Sequence, residues 1–334
     1  MAYDAAALRR ASQRLEQRRR KRQERQDALR RKLFAQTPEL ADIDRQLKGI
    51  ILDVIGSSLR TGSNPGPALE VLRDKNMDLQ QRQTQLLRQA GYPPDALDDV
   101  PQCKLCSDTG WVGTKMCSCL ETLCVQEQVR ALNQRLDLDN QNFDSFSLDW
   151  YSPLPWPGES VPPRENMEFI RDFCGNYASK FGKFLFPNLF LTGNPGLGKT
   201  FLSACVARVV AENGHWVVYD TAAEIFARFE EQKFSKAVQE GREAQSATRK
   251  YLNCDLLILD DLGSEFTTPF VQSALYTLVN TRLTTGKATI ISSNLNMDGV
   301  RSLYSGQIAS RIEGEYRTLR FYGDDIRLKR KEQL

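Results

Sequence analysis

Five short apolar runs punctuate the C-terminal half of the chain: Asn188–Thr192, His215–Asp220, Asp255–Asp260, Ala288–Ser293 and Thr318–Tyr322. Leu256-Leu257-Ile258-Leu259 is apolar without alternation, which predicts a strand buried on both faces of a parallel sheet. Helical patterns such as Phe201–Ala211 lie between the runs. Strand and helix therefore alternate, and the expected fold class is α/β, a parallel five-stranded sheet with helices on both faces. The first part of the chain reads differently. Residues 4–34 contain neither Pro nor Gly and are rich in Ala, Leu, Arg and Gln, which predicts one long helix. Leu8, Leu15 and Leu29 keep a heptad spacing that Arg22 interrupts, so a self-pairing coiled coil is not expected. Thr37-Pro38 predicts a capped restart, followed by the apolar stripe Ile43, Leu47, Ile50, Ile51, Val54 and Ile55. Gly56–Pro67 reads as a loop, and a further helix over Ala68–Ala90 stops at Gly91-Tyr92-Pro93-Pro94. The divisions that follow are an all-helical region over 1–98, a cysteine-rich unit over 99–125, a helix and linker over 126–164 and an α/β domain over 165–334.

Charge sharpens one part of this picture. The formal net charge is +3, yet residues 1–32 carry 12 Lys/Arg against 4 Asp/Glu. The basic excess sits in the first helix and the remainder of the chain is net acidic. Such a helix is either a solvated arm or a docking surface for a protein partner assisted by phosphate contacts. No apolar run approaches the ~18 residues of a membrane span, and the beginning lacks the apolar segment of a secretory signal. No membrane association and a cytoplasmic location are expected.

The chemistry concentrates in Gly193-Asn194-Pro195-Gly196-Leu197-Gly198-Lys199-Thr200, between the first apolar run and a helix. Glycines let successive N–H groups point into one concavity that cradles phosphate oxygens, and the following helix N-terminus favours the same charge. Lys199 is placed to neutralise the β/γ-phosphates and the Thr200 hydroxyl to ligate Mg²⁺. Asp260 and Asp261 close the strand Leu256-Leu257-Ile258-Leu259; Asp260 is expected to hold Mg²⁺ and Asp261 to orient or deprotonate the attacking water. Asn294, past the strand ending in Ser292-Ser293, is expected to reach the same crevice, because ligands of open α/β sheets sit beyond the C-terminal strand ends. ATP and Mg²⁺ are thus expected cofactors. Aromatics of the connector Asn142–Pro163 either pack beside the adenine or pin the linker to the surface.

The cysteines form a second constellation. Cys103-x-x-Cys106 precedes Asp108-Thr109-Gly110, and Cys117-x-Cys119 follows a short hairpin with Trp111-Val112 and Lys115-Met116 as strands. Four thiolates at this spacing can close a tetrahedral Zn²⁺ site with a structural role, with Cys124 as an alternative ligand.

The ordered set GNPGLGKT, LLILDDLG, ISSNL and SRIEG resembles the AAA+ ATPases of the bacterial replicative helicase-loader type, the DnaC/DnaI family, over Asn142–Leu334. The cysteine unit resembles the DnaI-like branch, whose N-terminal unit carries zinc and grips a hexameric helicase. The resemblance implies an ATP-dependent loader that places the replicative helicase on single-stranded DNA. IstB-type transposition helpers, which bind duplex DNA and a transposase, share the ATPase core but usually lack the cysteine unit. By motif position, Arg311 in Ser310-Arg311-Ile312 matches the arginine finger, implying self-association. Arg327 in Asp324-Asp325-Ile326-Arg327 matches the second arginine sensor. The family's usual Glu is Asp261 here, and no full helical lid is expected after the last strand, as in the loader branch. The strand-contacting region corresponds to Thr221–Tyr251, where Phe226, Phe229 and Phe234 accompany Arg228, Lys233, Lys236, Arg242, Arg249 and Lys250; Ile225, Phe226 and Phe229 could equally serve a core.

Overall fold

The computed structural model describes residues 3–60, 66–234 and 247–332, with only the backbone described over 50–60 and 66–75. The chain folds as two compact units, Ser12–Cys119 and Met1–Ala11 with Leu120–Leu334.

The smaller unit contains most of helix α1 (Ala5–Gln36), α2 (Pro38–Arg60), α3 (Gly66–Gln89) and a hairpin of β1 (Trp111–Val112) and β2 (Lys115–Met116). Leu33, Leu40, Ile43, Leu86, Leu87 and Leu97 make its small apolar core. Ile50, Ile51, Val54 and Ile55 fall where only the backbone is described. The expected loop Gly56–Pro67 is shorter than its composition suggests: α2 runs on to Arg60 and α3 begins at Gly66. A single Gly in a helix costs only about 1 kcal/mol relative to Ala, too little to end it; residues 61–65 lie outside the described residues. Arg22, which breaks the heptad seam, donates to Asp99 Oδ1 at 2.8 Å and to Asp108.

The larger unit holds α4 (Ser118–Asn133), α5 (Pro163–Ser179), β3 (Leu189–Gly193), α6 (Lys199–Glu212), β4 (Val217–Thr221), α7 (Ala222–Phe234) and β5 (Leu256–Leu262). It continues with α8 (Pro269–Thr284), β6 (Ala288–Ser293), α9 (Met297–Leu303), α10 (Gly306–Glu315), β7 (Arg317–Phe321) and α11 (Ile326–Glu332). The strands form one sheet in the order β4-β5-β6-β3-β7, every pairing parallel. Side chains alternate across it. Leu189, Leu191, Ile258 and Ile290 face a layer that includes Ile170 of α5 and Leu202 and Val206 of α6. Phe190, Leu257, Leu259 and Ile291 face the opposite layer, with Ile225 of α7, Leu275 of α8 and Ile308 of α10. The inner strands β3, β5 and β6 are therefore largely apolar because both of their faces are covered, whereas the edge strand β7 exposes Arg317, Thr318 and Arg320. This is a parallel α/β architecture with helices on both faces, and Gly193–Thr200 follows β3 at the C-terminal edge of the sheet, where ligands of such sheets bind.

Of the aromatics in Thr221–Tyr251, Phe226 is buried with Ile225 in the second layer, and Phe229 stacks on Tyr251 with centroids 6.3 Å apart. Helical spacing here serves the core. Phe234 is exposed, with the Lys233 ammonium over its ring at 5.7 Å. Lys236 and Arg242 lie outside the described residues. Among the described residues no helix is long and apolar enough to cross a membrane.

Candidate functional site

β3 ends in Gly193 and α6 starts at Lys199, so Gly193–Thr200 spans a strand–loop–helix turn. Backbone approach and left-handed geometry dictate its glycines. A Cβ on Gly193 would lie 2.1 Å from the Phe321 carbonyl oxygen, and Gly196 sits at φ +76°. Gly198 caps α6 at φ +90° and contributes no side-chain hydrogen bond. The first N–H groups of α6 are thus left for whatever enters the loop, a ready anion site. The loop is braced from outside: Tyr151 Oη donates to the Leu197 carbonyl at 2.9 Å, and the Ile326 N–H donates to the Gly196 carbonyl at 3.1 Å.

Lys199 is buried and folds back over the loop, donating to the carbonyls of Gly193 (2.6 Å) and Asn194 (2.8 Å) and to Asn294 Oδ1 (2.8 Å). Burial pulls its ammonium down to about 8, against the opposing pull of Asp261 and Asp260. Asp260, buried toward the C-terminal end of β5, accepts from Thr200 Oγ1 (3.0 Å), Tyr219 Oη (2.6 Å) and Ser292 Oγ. Burial, and then the Asp260 carboxylate, raises the Tyr219 phenol above its ordinary range, so it stays a donor. The sequence did not single out Tyr219. Only the pairing of β4 with β5 brings it beside Asp260.

Asp261 sits in a break of the β5–β6 register between Leu259 and Leu262, at φ +56°. That left-handed conformation is tolerated by Asp and Asn better than by other L side chains. The break turns the carboxylate toward the loop: Asn294 Nδ2 donates to Asp261 Oδ1 at 3.0 Å, and the Asp261 N–H donates to Ser292 Oγ at 2.9 Å. The left-handed position suits this short acid.

These groups share a cleft of about 510 Å³. Pro195 to Phe201, Asp260, Asp261, Asn294 and Arg327 line one part of it, and Phe146, Trp150, Tyr151 and Arg330 another. Arg330 packs over the Trp150 ring at 5.3 Å and Lys329 Nζ donates to the Trp150 carbonyl at 3.1 Å, so α11 is stapled to the connector at the cleft wall. Arg327 is therefore positioned by a helix tied to the phosphate loop itself. Arg311 is not among the lining residues; its Nη2 donates to Tyr276 Oη at 3.0 Å. The adjacent Thr200 hydroxyl and Asp260 carboxylate offer the hard oxygen donors that suit Mg²⁺.

The four cysteines of the smaller unit converge. Ser107 (φ +50°) and Asp108 (φ +59°) make the tight turn, and the Asp108 carboxylate accepts the N–H groups of Gln102 (3.0 Å) and Cys103 (2.7 Å). The sulfurs of Cys103, Cys106, Cys117 and Cys119 lie within 4.8 Å of one another. Cys103–Cys117 and Cys106–Cys119 approach to 3.7 and 3.4 Å. A tetrahedron with Zn–S of about 2.3 Å has edges of roughly 3.8 Å, so the set fits zinc. Burial raises the Cys106 thiol, but the Gly110 N–H and the neighbouring sulfurs outweigh it and bring it down to about 7; Cys119 is pushed up, first by burial and then by those sulfurs. Four crowded sulfurs cannot all ionise without a cation, which is the electrostatic reason such a cluster suits a metal. Cys124 is fully buried, its thiol pushed up to about 11 by burial, and it is not part of the cluster.

Residues 186–333 match the family described as IstB-like ATP binding protein. The replicative helicase loader DnaC of Escherichia coli (strain K12) is 23% identical over 145 residues, covering 43% of this chain and 54% of that protein. DnaC of Buchnera aphidicola subsp. Baizongia pistaciae is 26% identical over 163 residues, covering 48% of this chain and 62% of that protein. The chain spans about half the length of the curated relatives it matches first. A crystal structure of the DnaC helicase loader superimposes with a TM-score of 0.44 at 18% identity, covering 56% of this chain and 99% of that one. Residues 186–333 therefore carry an IstB-like ATP-binding domain, homologous to the replicative helicase loaders.

Proposed function

We propose that this chain is a Mg²⁺-dependent ATPase that binds a hexameric replicative helicase and helps place it on single-stranded DNA. The observation that carries this reading is the division of the arginines. Lys199, Thr200, Asp260, Asp261, Asn294 and Arg327 meet at one cleft, whereas Arg311 is held on Tyr276 and does not line it. A set lacking its finger fits a site completed by a neighbouring copy, as in trans-acting arginine fingers.

In this reading the amides of Gly193–Thr200 hold the phosphates, Lys199 exchanges its carbonyl partners for phosphate oxygens, and Arg327 contacts the γ-phosphate. Phe146, Trp150 and Tyr151 flank the base. Asp261, oriented by Asn294, takes the proton of the attacking water as its oxygen bonds the γ-phosphorus. The bond from that phosphorus to the β–γ bridging oxygen breaks, leaving ADP and phosphate. Thr200 and Asp260 would hold Mg²⁺, which would supply charge neutralisation to the phosphates. The four-cysteine knuckle holds structural zinc, and with the basic first helix it forms the surface for the helicase.

The Lys199 ammonium titrates near 8 without nucleotide, and phosphates beside it would raise that value. Binding above this pH should therefore take up a proton, and affinity should fall as pH rises further; well below it, neither occurs. Titration calorimetry in buffers of different ionisation enthalpy measures the uptake.

The loader reading predicts a stoichiometric complex of the full chain with a hexameric replicative helicase, and ATP-dependent transfer of that helicase onto closed circular single-stranded DNA. A transposition helper is the second reading, supported by the IstB-like family match. ATP-dependent filaments on duplex DNA that recruit a transposase, with no helicase complex at micromolar concentrations, would establish it instead.

A further inference from the structure

We propose that Tyr276 is a positioning residue for Arg311, presenting its guanidinium to the ATP site of the adjacent subunit. The inference rests on the reading of Arg311 as a finger and adds what holds it ready. Tyr276 lies on α8 and Arg311 on α10, and two interactions join them. Arg311 Nη2 donates to Tyr276 Oη at 3.0 Å, and its Cζ lies 5.1 Å from the ring centroid. The hydrogen bond sets the direction of the fork and the ring face restrains it laterally.

The partner's chemistry matters as much as the distance. A phenol is neutral, so it orders the guanidinium without cancelling its charge. A carboxylate in the same place would compete with the γ-phosphate. Arg301, on the adjacent helix α9, shows the contrast: its Nη1 donates to Asp298 (3.0 Å) and its Nη2 to both carboxylate oxygens of Glu313 (3.0 and 2.8 Å). Among the described residues Arg311 gives one N–H to Tyr276, and a guanidinium carries five, so others can reach phosphate oxygens. The partly buried Tyr276 ring packs against the second core layer. That anchorage gives the phenol a fixed place from which to direct a long, flexible side chain. An unheld arginine would have to lose its rotamer freedom at the moment of assembly, and small misplacements of a catalytic group cost large factors in rate.

The test uses full-length chain and ATP turnover measured at rising protein concentration, where finger-dependent hydrolysis grows with assembly. Tyr276→Phe keeps the ring and loses the hydroxyl; its assembly-stimulated kcat should fall about three- to tenfold. Tyr276→Ala should fall further, about ten- to a hundredfold, with KM for ATP unchanged. The decisive readout is mixing. Asp261→Asn chains cannot turn over but keep an ordered finger. Added to Tyr276→Ala chains, they should restore turnover at the Tyr276→Ala sites, because finger and site belong to different subunits. Should Tyr276→Ala fail to fold, Tyr276→Phe with the same mixing decides the matter. Wild-type stimulated rates in both Tyr276 variants alongside loss in Arg311→Ala would overturn the positioning role alone. Reduced rates that mixing does not restore would overturn it too, by assigning Tyr276 to its own subunit's fold. An unchanged rate in Arg311→Ala would instead remove the finger on which the proposal rests.

Discussion

Arg311→Ala should lower assembly-stimulated ATP hydrolysis about a thousandfold, the lower end of what an arginine finger contributes. The free nucleotide site does not include this side chain, so ATP affinity of the unassembled chain should stay as it is. The split follows from the geometry. A charge supplied only on assembly stabilises the transition state without helping the first binding step. Arg311→Lys should recover little, because an ammonium lacks the planar fork that spans two phosphate oxygens. The measurement is stimulated kcat against nucleotide Kd. A variant with wild-type stimulated rate would end the finger assignment, and a variant that fails to bind ATP would place Arg311 in its own subunit's site.

Removing zinc should have the other large effect. Structural zinc sites of this size contribute on the order of 10 kcal/mol to the folding of the segment that binds them. Besides the cysteines, the knuckle over Cys103–Cys119 is held by the Asp108 carboxylate and its Arg22 partner around a very small hairpin. Its hairpin is two residues per strand, and Trp111 and Val112 are exposed. Purified chain should carry about one zinc, by the four-ligand stoichiometry. A strong chelator, or Cys106→Ser, should open this segment to proteolysis and hydrogen exchange while the nucleotide site still binds ATP. Zinc retention should fall with acidification, since each thiolate must reprotonate to let the ion go. Loss of helicase capture on chelation would tie the knuckle to partner binding. A metal-free chain with an intact, protected knuckle would refute the zinc centre.

Motifs contiguous in the chain were legible from residue types alone. Gly193–Thr200 is a local backbone device, and a buried strand ending in Asp260-Asp261 announces itself by its apolar run. The Cys spacing likewise encodes a knuckle, since a tight turn needs only nearby residues. Groups that meet across the sheet were not legible. Tyr219 reaches Asp260 only because β4 pairs with β5. Arg330 meets Trp150 only because α11 folds back along the cleft. Helical spacing of Ile225, Phe226 and Phe229 fitted both a core and a strand-binding face, and burial decided for the core. Arg22 looked like a flaw in a heptad. In three dimensions it is an ion-pair link from the first helix to Asp108 in the cysteine turn.

By itself, then, the sequence determined that a phosphate-type loop follows a buried strand, that two carboxylates lie near the C-terminal end of another buried strand, and that four thiols can gather around one ion. These are consequences of local backbone freedom and hydrophobic period. Tertiary structure alone decided how the parts face one another. It set Asp261 at a left-handed turn where a short acid fits, and aimed it with Asn294. It also put Arg311 on a neutral phenol away from the cleft. Side-chain orientation depends on which strands pair and which helices cover them, and no local pattern carries that information.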